Sequence, residues 1–360
     1  MSREPAPLAA TPLPSPAPSG GPSTPPGPPP ASVGHGARAA ALARRGLPWL
    51  VAAFCLAYAF EVVPFRQCLA ALREARIELF FPLATSAVVL WFLLESAAYA
   101  RLFSRLNAPL SGRDARSLRA LTYLLTVIHW HVAKAAVVLR LQATHGVGLM
   151  AGTSTLLLYQ MLGIVILAAF AGAGALLAPA MPGSREVAGA AFALAAGTSG
   201  VLGLLRSDRP RLALLDELRA LPLFASHRRV ALEDVVAIGL LKTAYQLVFV
   251  LVYYFGLRAF GLAPSFFHVL VGTALLQAVG SLPISPAGLG TQQAAMLFLF
   301  SDPAAKGADG PALLAFAFTL PITTMTLRAL LACLYLGDLA RPSSGPAEST
   351  SASRSATTRV

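Results

Sequence analysis

Lys134, Lys242 and Arg328 are cations placed inside long apolar segments, and Glu95 is the obvious acid at comparable depth. A charge near the centre of a bilayer costs about 2.5–3.5 kcal/mol on insertion scales, so such a residue pairs, snorkels or holds a ligand. Pairing one of the cations with Glu95 leaves a positive interior suited to an anionic headgroup. Helical spacing adds polar neighbours. Lys242, Tyr245 and Gln246 share a face at i, i+3 and i+4, as do Thr324 and Arg328. On one continuous helix, Tyr123, Trp130 and Lys134 also share a face. His129 and His131 are two apart and diverge, which argues against a metal site. With no acid pair, nucleophile set or phosphate loop in these segments, neither catalytic residues nor a cofactor are expected.

A second polar feature interrupts the seventh apolar stretch. Residues 282–290 read Leu-Pro-Ile-Ser-Pro-Ala-Gly-Leu-Gly. Pro283, Pro286, Gly288 and Gly290 stop a helix there, and the chain resumes over 291–300, too short a piece to span. Gly288 and Gly290 permit close backbone approach. The half-helix from Thr291 offers N–H groups and the positive end of a dipole as a seat for phosphate. Ser285, Gln292 and Gln293 add neutral polar groups to the same site. The plainer alternative is a proline-glycine turn that lets two half-helices pack.

The run from Leu282 to Gly290, followed by the polar pair Gln292-Gln293 and an apolar half-helix, resembles the flippase-like family. Its best-known members are the transmembrane regions of lysylphosphatidylglycerol synthases. The chain departs from the family pattern at Gln293, where an acid is common. It departs again at residues 129–140, HWHVAKAAVVLR, where the family has a Gly-rich turn with acidic and basic residues. Members that aminoacylate carry a separate soluble module. Without it, the resemblance implies lipid translocation or binding rather than aminoacylation.

These residues need a membrane to position them. Of the 360 residues, 56% are hydrophobic and 12% charged, against about 25% charged in an ordinary globular protein. That balance excludes a soluble enzyme, a disordered protein and a secreted disulfide scaffold. Cys55, Cys68 and Cys333 read as small buried hydrophobes. The net charge of +12 is spread beside apolar segments, where it orients a membrane protein and meets anionic headgroups, so nucleic acid is not an expected partner. Three lysines against 25 arginines, with abundant alanine, suggest a GC-rich bacterial genome.

The fold class is an all-α polytopic membrane protein. Residues 1–40 form a Pro-rich disordered tail, 41–338 the transmembrane domain, and 339–360 a second disordered tail. Apolar segments fall at 47–65, 79–100, 120–139, 153–178, 187–205, 233–257, 266–283 with 291–300, and 311–337. If the third and seventh are re-entrant hairpins, 19 Lys and Arg face one side and 6 the other; if all eight segments span, the figures are 14 and 11. The positive-inside rule selects six crossings, two hairpins and cytoplasmic termini. Each half, 47–178 and 187–337, then reads span, span, hairpin, span. An odd number of crossings per half makes the halves inverted repeats, a recurrent transporter architecture.

The expected function is a bacterial inner-membrane protein, not an enzyme, that binds or translocates an anionic phospholipid or a polyprenyl-linked lipid. The alternative is a nonenzymatic scaffold that partners a lipid-modifying or glycosyl-transferring membrane enzyme through basic loops.

Overall fold

The computed structural model describes residues 35–126, 130–178, 183–207, 213–281, 288–301 and 309–340. The chain divides into Met1–Arg44 and Arg45–Val360. In the first unit the described residues begin helix α1, His35–Val62, inside the stretch assigned to the tail. All that follows concerns the second unit. No strand occurs among the described residues.

Helix α2, Phe65–Glu74, follows α1 at a bend of 73° measured against Trp49–Val62. Among the described residues, five helices are long and apolar enough to cross a bilayer: α3 Ile77–Leu106, α6 Leu149–Leu177, α7 Ser184–Arg206, α10 Leu232–Ala259 and α13 Gly310–Cys333. Counting the bent α1–α2 pair as one span makes six. Between them lie α4 Gly112–Thr126 and α5 Trp130–His145, then α8 Ala213–Ala220, a 3-10 turn Pro222–Phe224 and α9 Ala225–Arg229. Helices α11 Phe266–Ser281 and α12 Thr291–Phe300 precede α13, and α14 Leu336–Ala340 follows it.

Contacts at the helix ends define two faces. Helices α3 and α10 are antiparallel: the Arg76 N–H donates to the Ala259 carbonyl at 2.8 Å, and Arg101 pairs with Asp234 at 2.8 Å at the other end. Asp234 is buried in the first turn of α10, where the helix dipole favours an anion. The Asp234 face also carries the ends of the α4–α5 pair. Arg113 grips Asp338 in two bonds of 2.6 and 2.9 Å, Arg140 donates to the Asp338 carbonyl, and His145 lies 3.8 Å from Asp114.

The last pair bears on the third segment, expected as a hairpin. A single helix through 120–139 would carry residues 114 and 145 roughly 45 Å apart; their contact at 3.8 Å means that α4 and α5 lie antiparallel. The third segment is therefore two packed helices, each about 22–24 Å long and short of the about 30 Å core. The shared face drawn for Tyr123, Trp130 and Lys134 disappears, because Tyr123 is on α4 and Lys134 on α5.

Helices α11 and α12 form a second hairpin that opens on the Ala259 face. A His268 ring nitrogen bonds the Leu299 carbonyl at 2.6 Å, and its ring stacks on Phe300. Gly272 makes this approach possible: a Cβ there would lie 2.3 Å from the Phe300 ring. Among the described residues there are thus five long apolar helices, six candidate spans with the bent α1–α2 pair, and two short helical hairpins whose open ends lie on opposite faces.

Labelling tests the arrangement. After replacement of Cys55, Cys68 and Cys333, single cysteines at Glu74 and Glu217 are expected to react with an impermeant reagent from opposite sides of the membrane. Labelling of both from one side would match eight crossings instead.

Candidate functional site

The first hairpin delivers charge to the middle of the bundle. Arg119, on α4, is buried and forms an ion pair with Glu95 of α3, which also accepts a hydrogen bond from the Tyr159 hydroxyl of α6 at 3.1 Å. The Arg119 guanidinium lies 4.5 Å from the centre of the Tyr123 ring, one turn along α4. Glu95 is about 16 Å along α3 from its Leu106 end, and Lys242 about 15 Å along α10 from Leu232. Arg119 falls just before the third apolar segment, 120–139, in a stretch that also holds Arg113 and Arg116, so the segment bounds alone leave it in a loop. Its i, i+4 partner Tyr123 and an otherwise lone Glu95 are the signals that mark it as buried.

The three cations singled out from the sequence gather around this pair. The Lys242 ammonium lies 3.3 Å from the centre of the Tyr159 ring. It occupies the space a side chain at Gly163 would take, since a Cβ there would be 3.2 Å from the Lys242 Nζ. Arg328, on α13, sits 5.3 Å from the Trp91 ring centre and 5.2 Å from that of Tyr123. Lys134, on α5, lies within electrostatic reach of Lys242 and Arg119. Tyr245 packs on Trp91 at 6.0 Å, and the Gln246 carbonyl accepts a bond from Gln277 of α11 at 3.0 Å. Cation–π contacts stabilise by up to about 2 kcal/mol when desolvated, so the aromatic walls offset part of the cost of burying charge.

Most of the polar atoms left over are donors; Glu95 Oε2 faces Arg119 in the ion pair, and the Ser96 hydroxyl beside it on α3 also lacks a hydrogen-bond partner among the described residues. Trp91 Nε1, Arg119 Nε, Gln246 Nε2 and Arg328 Nε are buried N–H donors with no hydrogen-bond partner among the described residues, and the Tyr123 hydroxyl is in the same position. Leaving one such group unsatisfied costs about 1–3 kcal/mol. Among the described residues, Arg119, Lys242 and Arg328, with Lys134 nearby, surround one carboxylate and form a cationic chamber with more donors than acceptors.

The Pro-Gly break has a different role. Ser285 lies outside the described residues. Gln293 is 2% exposed; its carbonyl accepts the Gly290 N–H at 2.7 Å and its amide donates to the Ala317 carbonyl at 3.2 Å. Ala317 is four residues before Pro321, inside α13, and proline has no N–H to give it. Gln293 replaces that missing donor. Gly290, at φ +79°, presses on α1, where a Cβ would lie 2.5 Å from the Ala52 carbonyl oxygen. Gly288 and Gly280 both abut the Gln292 amide. These partners lie on α1, α11 and α13, so the contacts of Gly290, Gln292 and Gln293 tie the start of α12 into the bundle. Gln293, three residues after the N-cap Gly290, thus caps the start of α12 with its side chain.

Five long apolar helices, a sixth candidate span in the bent α1–α2 pair, two hairpins and a buried cationic chamber define a polytopic α-helical membrane protein. Residues 47–332 match the family described as lysylphosphatidylglycerol synthase TM region, and the chain belongs to it. Searches of the curated proteins and of the solved structures give no match.

Two stability outcomes follow. Gln293→Leu strands both the Gly290 N–H and the Ala317 carbonyl and should cost about 2–4 kcal/mol. In a Pro321→Ala background the helix supplies its own donor, so the same substitution should cost less. Thermal unfolding in detergent reads this cycle, and equal losses in both backgrounds would break the link. Glu95→Gln leaves Arg119 buried without its counter-charge and should cost about 3–5 kcal/mol, whereas the Glu95→Met/Arg119→Met pair should cost less.

Proposed function

We propose that this chain is a nonenzymatic translocator that binds an anionic lipid, either a phospholipid or a polyprenyl-linked lipid, in the chamber formed by Arg119, Lys134, Lys242 and Arg328. The observation that carries the proposal is the set of buried N–H donors without acceptors beside an excess of cations. A phosphate group accepts several hydrogen bonds at once and favours charge-assisted contacts with arginine and lysine. The two hairpins support the same function. Short helices that enter from opposite faces shorten the polar path across the bilayer, as in transporters built from inverted repeats. We take the halves 47–178 and 187–337 as such repeats. The Asp234 face is taken as cytoplasmic, in a bacterial inner membrane, because it gathers the arginine-rich segments.

Reconstitution into vesicles with fluorescent phosphatidylglycerol or phosphatidylcholine tests the proposal. The purified protein should move the anionic lipid without another protein present. Lys242→Met and Arg328→Gln should each slow that transfer about tenfold, or ~1.4 kcal/mol, and affect the zwitterionic lipid less. Because both touch one headgroup, their double variant should lose less than the sum of the two. Additive losses with equal effects on both lipids would reject the shared site. Absence of transfer by the pure protein would favour the scaffold.

A further inference from the structure

Helices α6, α7, α9 and α10 enclose a groove of about 370 Å³, within the size range of small-ligand pockets. Its walls are apolar, with Leu158, Leu162, Val165, Leu202 and Val235 among them. Leu158 and Leu162 each precede by one residue a group that faces the chamber, Tyr159 and Gly163. A step of one residue is about 100° around a helix, so the groove and the chamber lie on different sides of α6. Arg206 lines the groove and also lines a polar depression of about 450 Å³ with Arg219, Arg228 and Arg229. The apolar and basic halves therefore meet at Arg206.

The basic half is held in place by its own bonds. The Ser226 N–H donates to the Ser154 hydroxyl at 2.9 Å, and the Ser226 and Thr155 hydroxyls bond each other at 2.9 Å. These bonds clamp α9 to α6 and fix the base of Arg228 and Arg229. Arg219 is a strut: its guanidinium donates to the Leu204 carbonyl at the end of α7 and to Asp216. Arg206, Arg228 and Arg229 are exposed. Asp216 and Glu217 are the nearby acids on α8, and four arginines outnumber them. His227, 2% exposed, lines the groove.

We propose that this groove and its arginines form a second lipid site, which holds an anionic phospholipid of the leaflet on the Asp234 face. The acyl chain lies along the apolar walls and the phosphate is held by Arg206, Arg228 and Arg229. A free phosphate ion would use the arginines alone. The continuous apolar groove that ends on them matches a molecule with both parts, and the hydrocarbon around the bundle supplies it.

The test is native mass spectrometry of the full chain, released from detergent and titrated with phosphatidylglycerol, phosphatidylcholine or glycerol 1-phosphate. Lys242→Met/Arg328→Gln removes the chamber's contribution, so the outcome is independent of the proposed translocation. In that background a retained phosphatidylglycerol is expected, in preference to phosphatidylcholine. Arg206→Gln/Arg228→Gln/Arg229→Gln should weaken its retention about tenfold. Gly239→Leu keeps every arginine and places a side chain where the glycine Cβ position meets nothing within 4 Å; it should weaken retention to a similar degree. Unchanged retention in both variants would overturn the proposal. So would binding of glycerol 1-phosphate that Gly239→Leu leaves unaffected, since that result describes a phosphate site with no place for a lipid tail.

Discussion

Buried positive charge without enough acceptors is the constraint on which the rest of this structure depends. Among the described residues, Glu95 is the carboxylate that faces Arg119, while Lys242, Arg328 and Lys134 crowd the same region. In hydrocarbon each unpaired charge or donor is costly, and the fold meets the cost in two ways. Aromatic rings from α3, α4 and α6 lie against the cations, and the first hairpin places Arg119 directly on Glu95. The remaining imbalance suits a negative ligand.

That arrangement requires a rigid frame, and the frame is fixed at its ends. The Asp234 and Asp338 ion pairs hold α10, α3, α4 and α14 on one face, and the His268–Leu299 bond closes the second hairpin on the other. Between them, the Pro-Gly break is tied to α13 through Gln293. Pro321 removes a backbone donor from α13, Gln293 returns one from α12, and the two defects cancel. The same glutamine that looked suited to a ligand is thus a structural bond between two broken or kinked elements.

The sequence made the membrane class legible because its apolar segments are long and its arginines lie unevenly between them. The two hairpins were legible for different reasons. Pro283, Pro286, Gly288 and Gly290 announce a break in the seventh segment, whereas the third was marked only by polar residues and charge counting, and its reach from Gly112 to His145 was underestimated. Lys242 and Arg328 could be found because charge in an apolar run stands out. Arg119 could not be found that way, since it closes a basic stretch and its burial depends on a fold-back that spacing does not encode. Tyr159 and Trp91 were hidden for the opposite reason: an aromatic residue in an apolar segment looks like core until its ring is found under a cation.

The measurement that tests the central claim most directly is an experimental density map of the protein in a bilayer disc containing phosphatidylglycerol. A phosphate-shaped density is expected in the chamber, within about 3 Å of donors from at least two of Arg119, Lys242 and Arg328. A chamber filled only by ordered water, with the Trp91, Gln246 and Arg328 donors bonded to it and the lipid confined to the outer surface, would contradict the account.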